Sequence, residues 1–204
     1  GVGSGTKINS QDRIYFPHSL GIFYQAITQL LGFHNYGDEY KVMGLAPYGK
    51  PHFIDQMRRI VKLKSNGNFE LNLKYFRHHR EKIDYKWENR SPFVGTLFSY
   101  ELEKLLGPQR KKNEKLTTHH MNIANSAQLM FEDAFLNLLN ELQKKYNLDN
   151  VAIAGGCAMN SVANGKILLK TPFKKVYVQA AAGDAGGAVG AALMTWHNFG
   201  GEKG

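Results

Sequence analysis

Between Val151 and Ala192 the chain twice passes from a short apolar stretch, through clustered glycines, into a helical pattern of small residues. Val151 to Ala154 reads as a strand ending at Gly155-Gly156, with Val162, Ala163 and Ile167 on a helix beyond. Lys175 to Gln179 reads as a second strand ending in Ala180 to Gly183, and Asp184 then starts a helix built from Ala185 to Ala192. Strands alternating with helices point to α/β architecture with a partly parallel sheet. Glycines at the carboxyl ends of such strands let a ligand approach backbone that a Cβ would block. A helix N-terminus just beyond offers unpaired N–H groups and positive dipole character, which suits phosphate. No Gly-Lys-Ser/Thr follows either turn, and the spacing is not Gly-x-Gly-x-x-Gly. A nucleotide or phosphorylated ligand is the reading these turns favour.

Each residue also has a structural reading that spacing alone leaves open. Gly155 and Gly156 can simply end a strand, and Gly186, Gly187 and Gly190 can let a helix lie close on a sheet. Asp184 can be an N-cap and Asn160 a polar helix-entry residue. Cys157 has no basic partner nearby in sequence and reads as a small buried residue rather than a nucleophile.

Upstream, Ser19 is a candidate N-cap for a helix carrying Leu20, Phe23, Tyr24, Ile27, Leu30 and Leu31 at helical spacing, stopped by Gly32. The residues before it read as loop. The stretch 39–50 is neither cleanly helical nor alternating. Val61 and Leu63, then Phe69, Leu71, Leu73 and Tyr75, alternate on either side of Ser65-Asn66-Gly67, which predicts a hairpin. Residues 77–116 read as irregular, with short helical pieces between Thr96 and Leu106. A long helix follows, striped by Met121, Ala124, Ala127, Met130, Phe131, Ala134, Phe135, Leu138, Leu139 and Leu142. His119 and His120 form its polar entrance, and Lys144, Lys145 and Asn147 mark its exit. We expect residues 1–204 to form one α/β domain, with 61–116 as a candidate inserted lobe.

With 43% hydrophobic residues, 12 Phe and 10 Tyr, the chain has the means to build a core. It contains no apolar run of the roughly 20 residues that a spanning helix needs. The single cysteine excludes an intramolecular disulfide, and a reducing, cytoplasmic setting is expected. The chain opens at Gly1 without an initiator Met or a secretory pattern, so we expect an excised portion of a longer protein. Its net charge of +9 suggests anionic partners, yet the basic residues are dispersed and no nucleic-acid motif accompanies them.

Four motifs then converge. They are Phe16-Pro17-His18-Ser19-Leu20-Gly21-Ile22-Phe23-Tyr24, Glu39-Tyr40-Lys41-Val42-Met43-Gly44-Leu45-Ala46-Pro47-Tyr48-Gly49, Ala154-Gly155-Gly156-Cys157-Ala158-Met159-Asn160 and the Gly183 to Ala192 segment. In this order, over nearly the whole chain, they resemble the O-carbamoyltransferases of the nodulation-protein and antibiotic-carbamoylating type. The resemblance implies an actin-like ATPase (ribonuclease H-like) subdomain, with a mixed sheet flanked by helices and a hairpin-containing insertion. It implies an ATP-dependent reaction that makes carbamoyl-adenylate from carbamoyl phosphate. The carbamoyl group then passes to a hydroxyl of a sugar or antibiotic-like acceptor, at a site carrying a divalent metal, usually iron.

Carried over residue by residue, the resemblance makes Asp184 a metal ligand and Gly155, Gly156 and Asn160 the turn that holds the adenosine part. Gln25 and Gly37 fall where relatives touch nucleotide, Gly183 and Gly186 belong to the second nucleotide-facing turn, and Lys41 is the candidate catalytic contact to phosphate or acceptor. The family's remaining metal ligands are a His-x-x-x-His pair. The eight histidines here stand at 18, 34, 52, 78, 79, 119, 120 and 197, with no pair four apart. The resemblance therefore places the other ligands in a preceding half of the actin-like domain and the adenylate-forming domain after Gly204. The chain alone is expected to be inactive. Two rival readings are a threonylcarbamoyl-type tRNA-modification subunit, which the basic charge suits, and a nucleotide-binding or interaction module without transfer chemistry. The Tyr40 to Gly49 motif favours the small-molecule transferase.

Overall fold

The computed structural model describes residues 1–5, 7–10, 12–88 and 91–201. Two three-residue strands, β1 (Val2–Ser4) and β2 (Lys7–Asn9), pair antiparallel where the sequence reads as loop. Helix α1 (Leu20–Leu30) starts where Ser19 predicts, its hydroxyl accepting the Ile22 N–H at 3.3 Å. Gly32 ends it with φ +78°, and a Cβ there would stand 2.5 Å from the Arg110 carbonyl, so both conformation and space require glycine. The last carbonyls of α1, which no helix can satisfy internally, are met from far along the chain. The Arg110 N–H donates to Leu30 at 3.0 Å, its Nε to Leu31 at 2.7 Å, and Gln109 Nε2 to Gln29 at 3.0 Å.

The stretch without a clear sequence pattern is helix α2 (Glu39–Leu45), followed by a 3-10 turn at Ala46–Tyr48. Val42 and Leu45 are three apart and both buried, which is sufficient to fix one face, and Pro47 sits at the turn's entry, where its missing N–H costs nothing. Helix α3 (Ile54–Ile60) buries Met57 and Ile60 and carries Arg58 and Arg59 in its last turn, where cations complement the helix dipole. The hairpin of β3 (Val61–Leu63) and β4 (Phe69–Leu71) turns through Gly67 at φ +82°, as Asn66-Gly67 predicts. The strand stops short of the expected Tyr75, because the segment opposite Asn72 is already the end of α3, whose Ile60 carbonyl accepts the Asn72 N–H at 2.8 Å. Leu73–Tyr75 folds into a 3-10 turn that sends Tyr75 into the core.

Residues 77–116 are more ordered than their composition suggests. They contain a third antiparallel pair, β5 (Tyr85–Glu88) and β6 (Ser91–Val94), and helix α4 (Tyr100–Leu106). Charged residues and Pro92 hide the alternation of this ribbon. Tyr75, Phe76, Leu97, Phe98, Leu102 and Leu106 join the same hydrophobic cluster as α1 and α5.

Helix α5 (Thr118–Tyr146) is the axis of the fold. His120 Nδ1 accepts the Thr117 N–H at 3.1 Å in a capping box, and Asn147 closes the helix in the left-handed region. Its stripe packs on α1, α2 and α3, with Tyr24 and Phe131 rings edge to face at 5.5 Å and Phe131 stacked near Phe135. Beyond it come β7 (Asn150–Ile153), the short helices α6 (Ser161–Asn164) and α7 (Ile167–Lys170), β8 (Lys175–Val178) and α8 (Gly186–Asn198).

β7 and β8 are parallel, as expected. The expected single mixed sheet is not formed: among the described residues the strands make four separate two-stranded ladders. A parallel sheet grows when both faces are covered, and here α8 buries none of its residues. Some of the basic side chains pair with carboxylates on the surface, as Arg77 with Glu81 at 2.6 Å and Lys145 with Asp12 at 2.6 Å. Among the described residues no helix is long and apolar enough to cross a membrane.

Candidate functional site

Because β7 and β8 run parallel, the turns that follow them emerge side by side. The Gly155 N–H donates to the Ala182 carbonyl at 2.6 Å and locks the two glycine turns together. Gly155 adopts φ +97°, which demands glycine, whereas a Cβ at Gly156 would meet nothing within 4 Å. Internal packing therefore leaves the space above Gly156 open. Gly186 is different: its Cβ would collide with the Ala181 carbonyl at 2.2 Å, so glycine there serves the turn itself. Gly183 faces the Met159 sulfur. Cβ atoms at Gly187 and Gly190 would meet nothing within 4 Å, so close packing of this helix on a sheet does not explain them.

Asp184 does not start α8, which begins at Gly186, and its carboxylate caps no helix. It accepts a hydrogen bond from the Tyr36 hydroxyl at 3.0 Å instead. That contact brings the segment 34–43 across both turns. Gly37 follows Tyr36 with φ +86° and open space beside it. Asp38 is buried: its carboxylate accepts the Asn35 N–H at 3.1 Å and pairs with Lys41 Nζ at 2.7 Å. Lys41 also lies 5.6 Å from the centre of the Phe33 ring. The predicted catalytic amine is thus half-exposed and already neutralised by a neighbouring carboxylate.

The opposite end of α2 faces the first turn, where Ser161 Oγ donates to the Met43 sulfur at 3.7 Å. Burial, and then the nearby Glu39 charge, pushes the Cys157 thiol up to about 11, which fits an inert thiol rather than a nucleophile. Burial likewise raises Glu39 above the usual carboxylate range. Gln25 is half-buried on α1, one turn beyond Gly21, which faces Cys157.

Asn160 occupies a different environment from the other candidates. It is buried, and its Oδ1 accepts the Ala163 N–H at 3.0 Å, capping α6. It also exchanges two hydrogen bonds with Gln128 of α5, at 3.0 and 3.1 Å. Gln128 in turn accepts from Tyr24 Oη at 2.8 Å and donates to Glu132 at 2.8 Å, while Glu132 pairs with Lys166 at 2.5 Å. Asn160 therefore pins the first glycine turn to α5 through a buried polar network. Sequence reading missed Gln128 and Glu132. Their signal was two polar residues four apart on the face that otherwise carries the apolar stripe.

No three His, Cys, Asp or Glu side chains among the described residues come together to hold a metal. Asp184 is one carboxylate beside a phenol, and the residues present do not make a metal centre by themselves. For a nucleotide the fit is better at the first turn, where Gly155 and Gly156 leave space that side chains would fill.

The family described as the carbamoyltransferase N-terminus matches residues 2–193. An uncharacterised protein of Synechocystis, sll1178, is 40% identical over 97% of this chain and 30% of its own length. Nodulation protein NolNO of Sinorhizobium fredii is 32% identical over 98% of this chain and 26% of its own. Nodulation protein NolO of Bradyrhizobium diazoefficiens is 32% identical over 98% of this chain and 32% of its own. The chain spans a third or less of the length of these relatives.

Proposed function

The chain belongs to the carbamoyltransferase N-terminal family, and from that premise we propose that it forms one wall of an O-carbamoyltransferase site. In this reading the parent enzyme passes a carbamoyl group from carbamoyl-adenylate, made from carbamoyl phosphate and ATP, to a hydroxyl of a small-molecule acceptor. The observation that carries it is the convergence of both glycine turns and the Tyr36 to Lys41 segment on one side of the parallel strand pair. The α/β layout is read as part of an actin-like fold whose sheet continues in the longer polypeptide.

The first turn supplies open backbone at Gly155 and Gly156 for the adenosine part, held rigid by Asn160 and Gln128. Lys41 would serve as the cation toward phosphate by exchanging its Asp38 partner for the ligand. The acceptor oxygen attacks the carbamoyl carbon, the bond from that carbon to the adenylate phosphate oxygen breaks, AMP leaves and the hydroxyl proton is released. Asp184 would be the single ligand this chain adds to a metal shared with residues outside it, and no step is derived through that metal.

Calorimetric titration of AMP into the wild-type chain and a Gly156→Val form tests the reading. Valine at this open position leaves internal packing intact and fills the ligand's space, so affinity should fall at least about ten-fold. Equal affinity for the two proteins, or no AMP binding by the wild type, would overturn the half-site. The isolated chain should show no carbamoyl transfer.

A further inference from the structure

Glu39 opens helix α2 and is half-buried. Among the described residues no cation pairs with its carboxylate, and the neighbouring Lys41 is held by Asp38 at 2.7 Å. The direction it faces follows from Met43, four residues on and therefore on the same side of the helix. Met43 Sδ accepts the Ser161 hydroxyl at 3.7 Å, so this side looks onto the stretch that leaves the first glycine turn. The Glu39 charge acts on three groups around it: Cys157 in that turn, Tyr24 on α1 and Tyr36 on the loop before α2. Tyr36 in turn reaches Asp184 of the second turn, so Glu39 stands between the two.

An acidic residue in the first turn of a helix complements the dipole. Here burial outweighs that gain, because it holds the Glu39 carboxyl above its ordinary value despite its own backbone N–H. A desolvated carboxylate without a counter-ion works against the fold. Conflicts of this kind are expected where a chain meets a ligand. The space at the adjacent turn is open, since a Cβ at Gly155 or Gly156 would meet nothing within 4 Å.

We propose that Glu39 accepts both hydroxyls of the ribose, and that this contact makes the half-site select ribonucleotides. The inference rests on the AMP half-site proposed above, in which the first turn takes the adenosine part. Of the three parts of AMP, phosphate is repelled by an unpaired carboxylate. The adenine edge presents mainly lone pairs, its one donor group being the exocyclic amine. Ribose presents two adjacent O–H donors, which match the two carboxylate oxygens in a pair of charge-assisted hydrogen bonds. Position agrees with this chemistry. Ribose is the middle of the nucleotide, and Glu39 lies between the turn that takes adenosine and the turn that carries Asp184.

Calorimetric titration of wild type, Glu39→Gln and Glu39→Ala tests this with AMP, its dideoxy analogue lacking both ribose hydroxyls, and inosine monophosphate. Wild type should bind AMP at least about ten-fold more tightly than the dideoxy analogue. Glu39→Ala should lower AMP affinity by a similar factor and leave the dideoxy analogue no weaker. Glu39→Gln, which keeps the shape and one neutral acceptor, should fall between the other two proteins. Inosine monophosphate lacks the amine and should lose affinity in Glu39→Ala just as AMP does. Equal wild-type affinity for AMP and its dideoxy analogue, or an equal loss of both in Glu39→Ala, would overturn the proposal. So would an inosine monophosphate affinity that Glu39→Ala leaves unchanged, because the contact would then be to the base. The Gly156→Val protein separates the two readings. AMP binding that Gly156→Val weakens and Glu39→Ala does not leaves the half-site standing and removes the ribose contact. No AMP binding by the wild type removes both.

Discussion

The Tyr36 hydroxyl donates to the Asp184 carboxylate at 3.0 Å, joining residues 148 positions apart at the edge of both glycine turns. Asp184 was open to two sequence readings, helix cap and site carboxylate, and this contact removes the first. The bond is exposed, so its consequence lies in local order rather than in global stability.

Tyr36→Phe should therefore change unfolding stability by less than about 1 kcal/mol. Amide exchange across residues 183–187 should accelerate, because the turn loses its tie to the 34–38 loop. Hydrogen-exchange mass spectrometry beside a urea melt checks both, and unchanged exchange would mean that the contact orders nothing.

Gln128→Leu should cost about 2–3 kcal/mol in urea unfolding, since it strands the buried Asn160 Nδ2 donor and the Tyr24 hydroxyl, while Asn160 Oδ1 keeps the Ala163 N–H. Asn160→Ala should destabilise comparably, so any loss of AMP binding in that variant has to be read against its folded fraction. A Gln128→Leu protein as stable as wild type would show that the network carries no weight.

Glu39→Gln should stabilise the protein at neutral pH and leave it unchanged in acid. Burial is the first cause of the raised Glu39 value, with its own backbone N–H opposing, so the folded state binds this proton more tightly than the unfolded chain. The advantage of neutral Glu39 is complete below the ordinary value of 4.5 and is lost as pH rises through the folded value. Thermal melts of both proteins across this window give the sign, and a difference that grows toward acid would contradict it.

Cys157 should resist alkylation in the native state. With its thiol near 11 rather than 9.0, the thiolate fraction at mildly alkaline pH falls about a hundred-fold. Iodoacetamide labelling followed by mass spectrometry should be slow in buffer and fast in urea, and rapid native labelling would indicate an activated thiol.

Helices α1 and α5 were legible because their stripes and caps are near-neighbour properties, set by Ser19, Thr117 and residues three or four apart. The β3–β4 turn was legible for the same reason, through Asn66-Gly67. Helix α2 was not, because its signal reduces to Val42 and Leu45 and becomes a face only against α5. The β5–β6 ribbon was hidden by its charges and Pro92, since little of it is buried.

At the candidate site, local sequence determined that two glycine turns follow two parallel strands, and that a Tyr40 to Gly49 motif belongs with them. Which atoms meet was decided by the tertiary structure: Tyr36 on Asp184 and Gln128 on Asn160. Positive φ and short-range spacing act along the chain and can be read from it. A hydrogen bond between distant side chains depends instead on how the core around Phe131 and Tyr24 stacks the elements, and that packing has no signature in residue order.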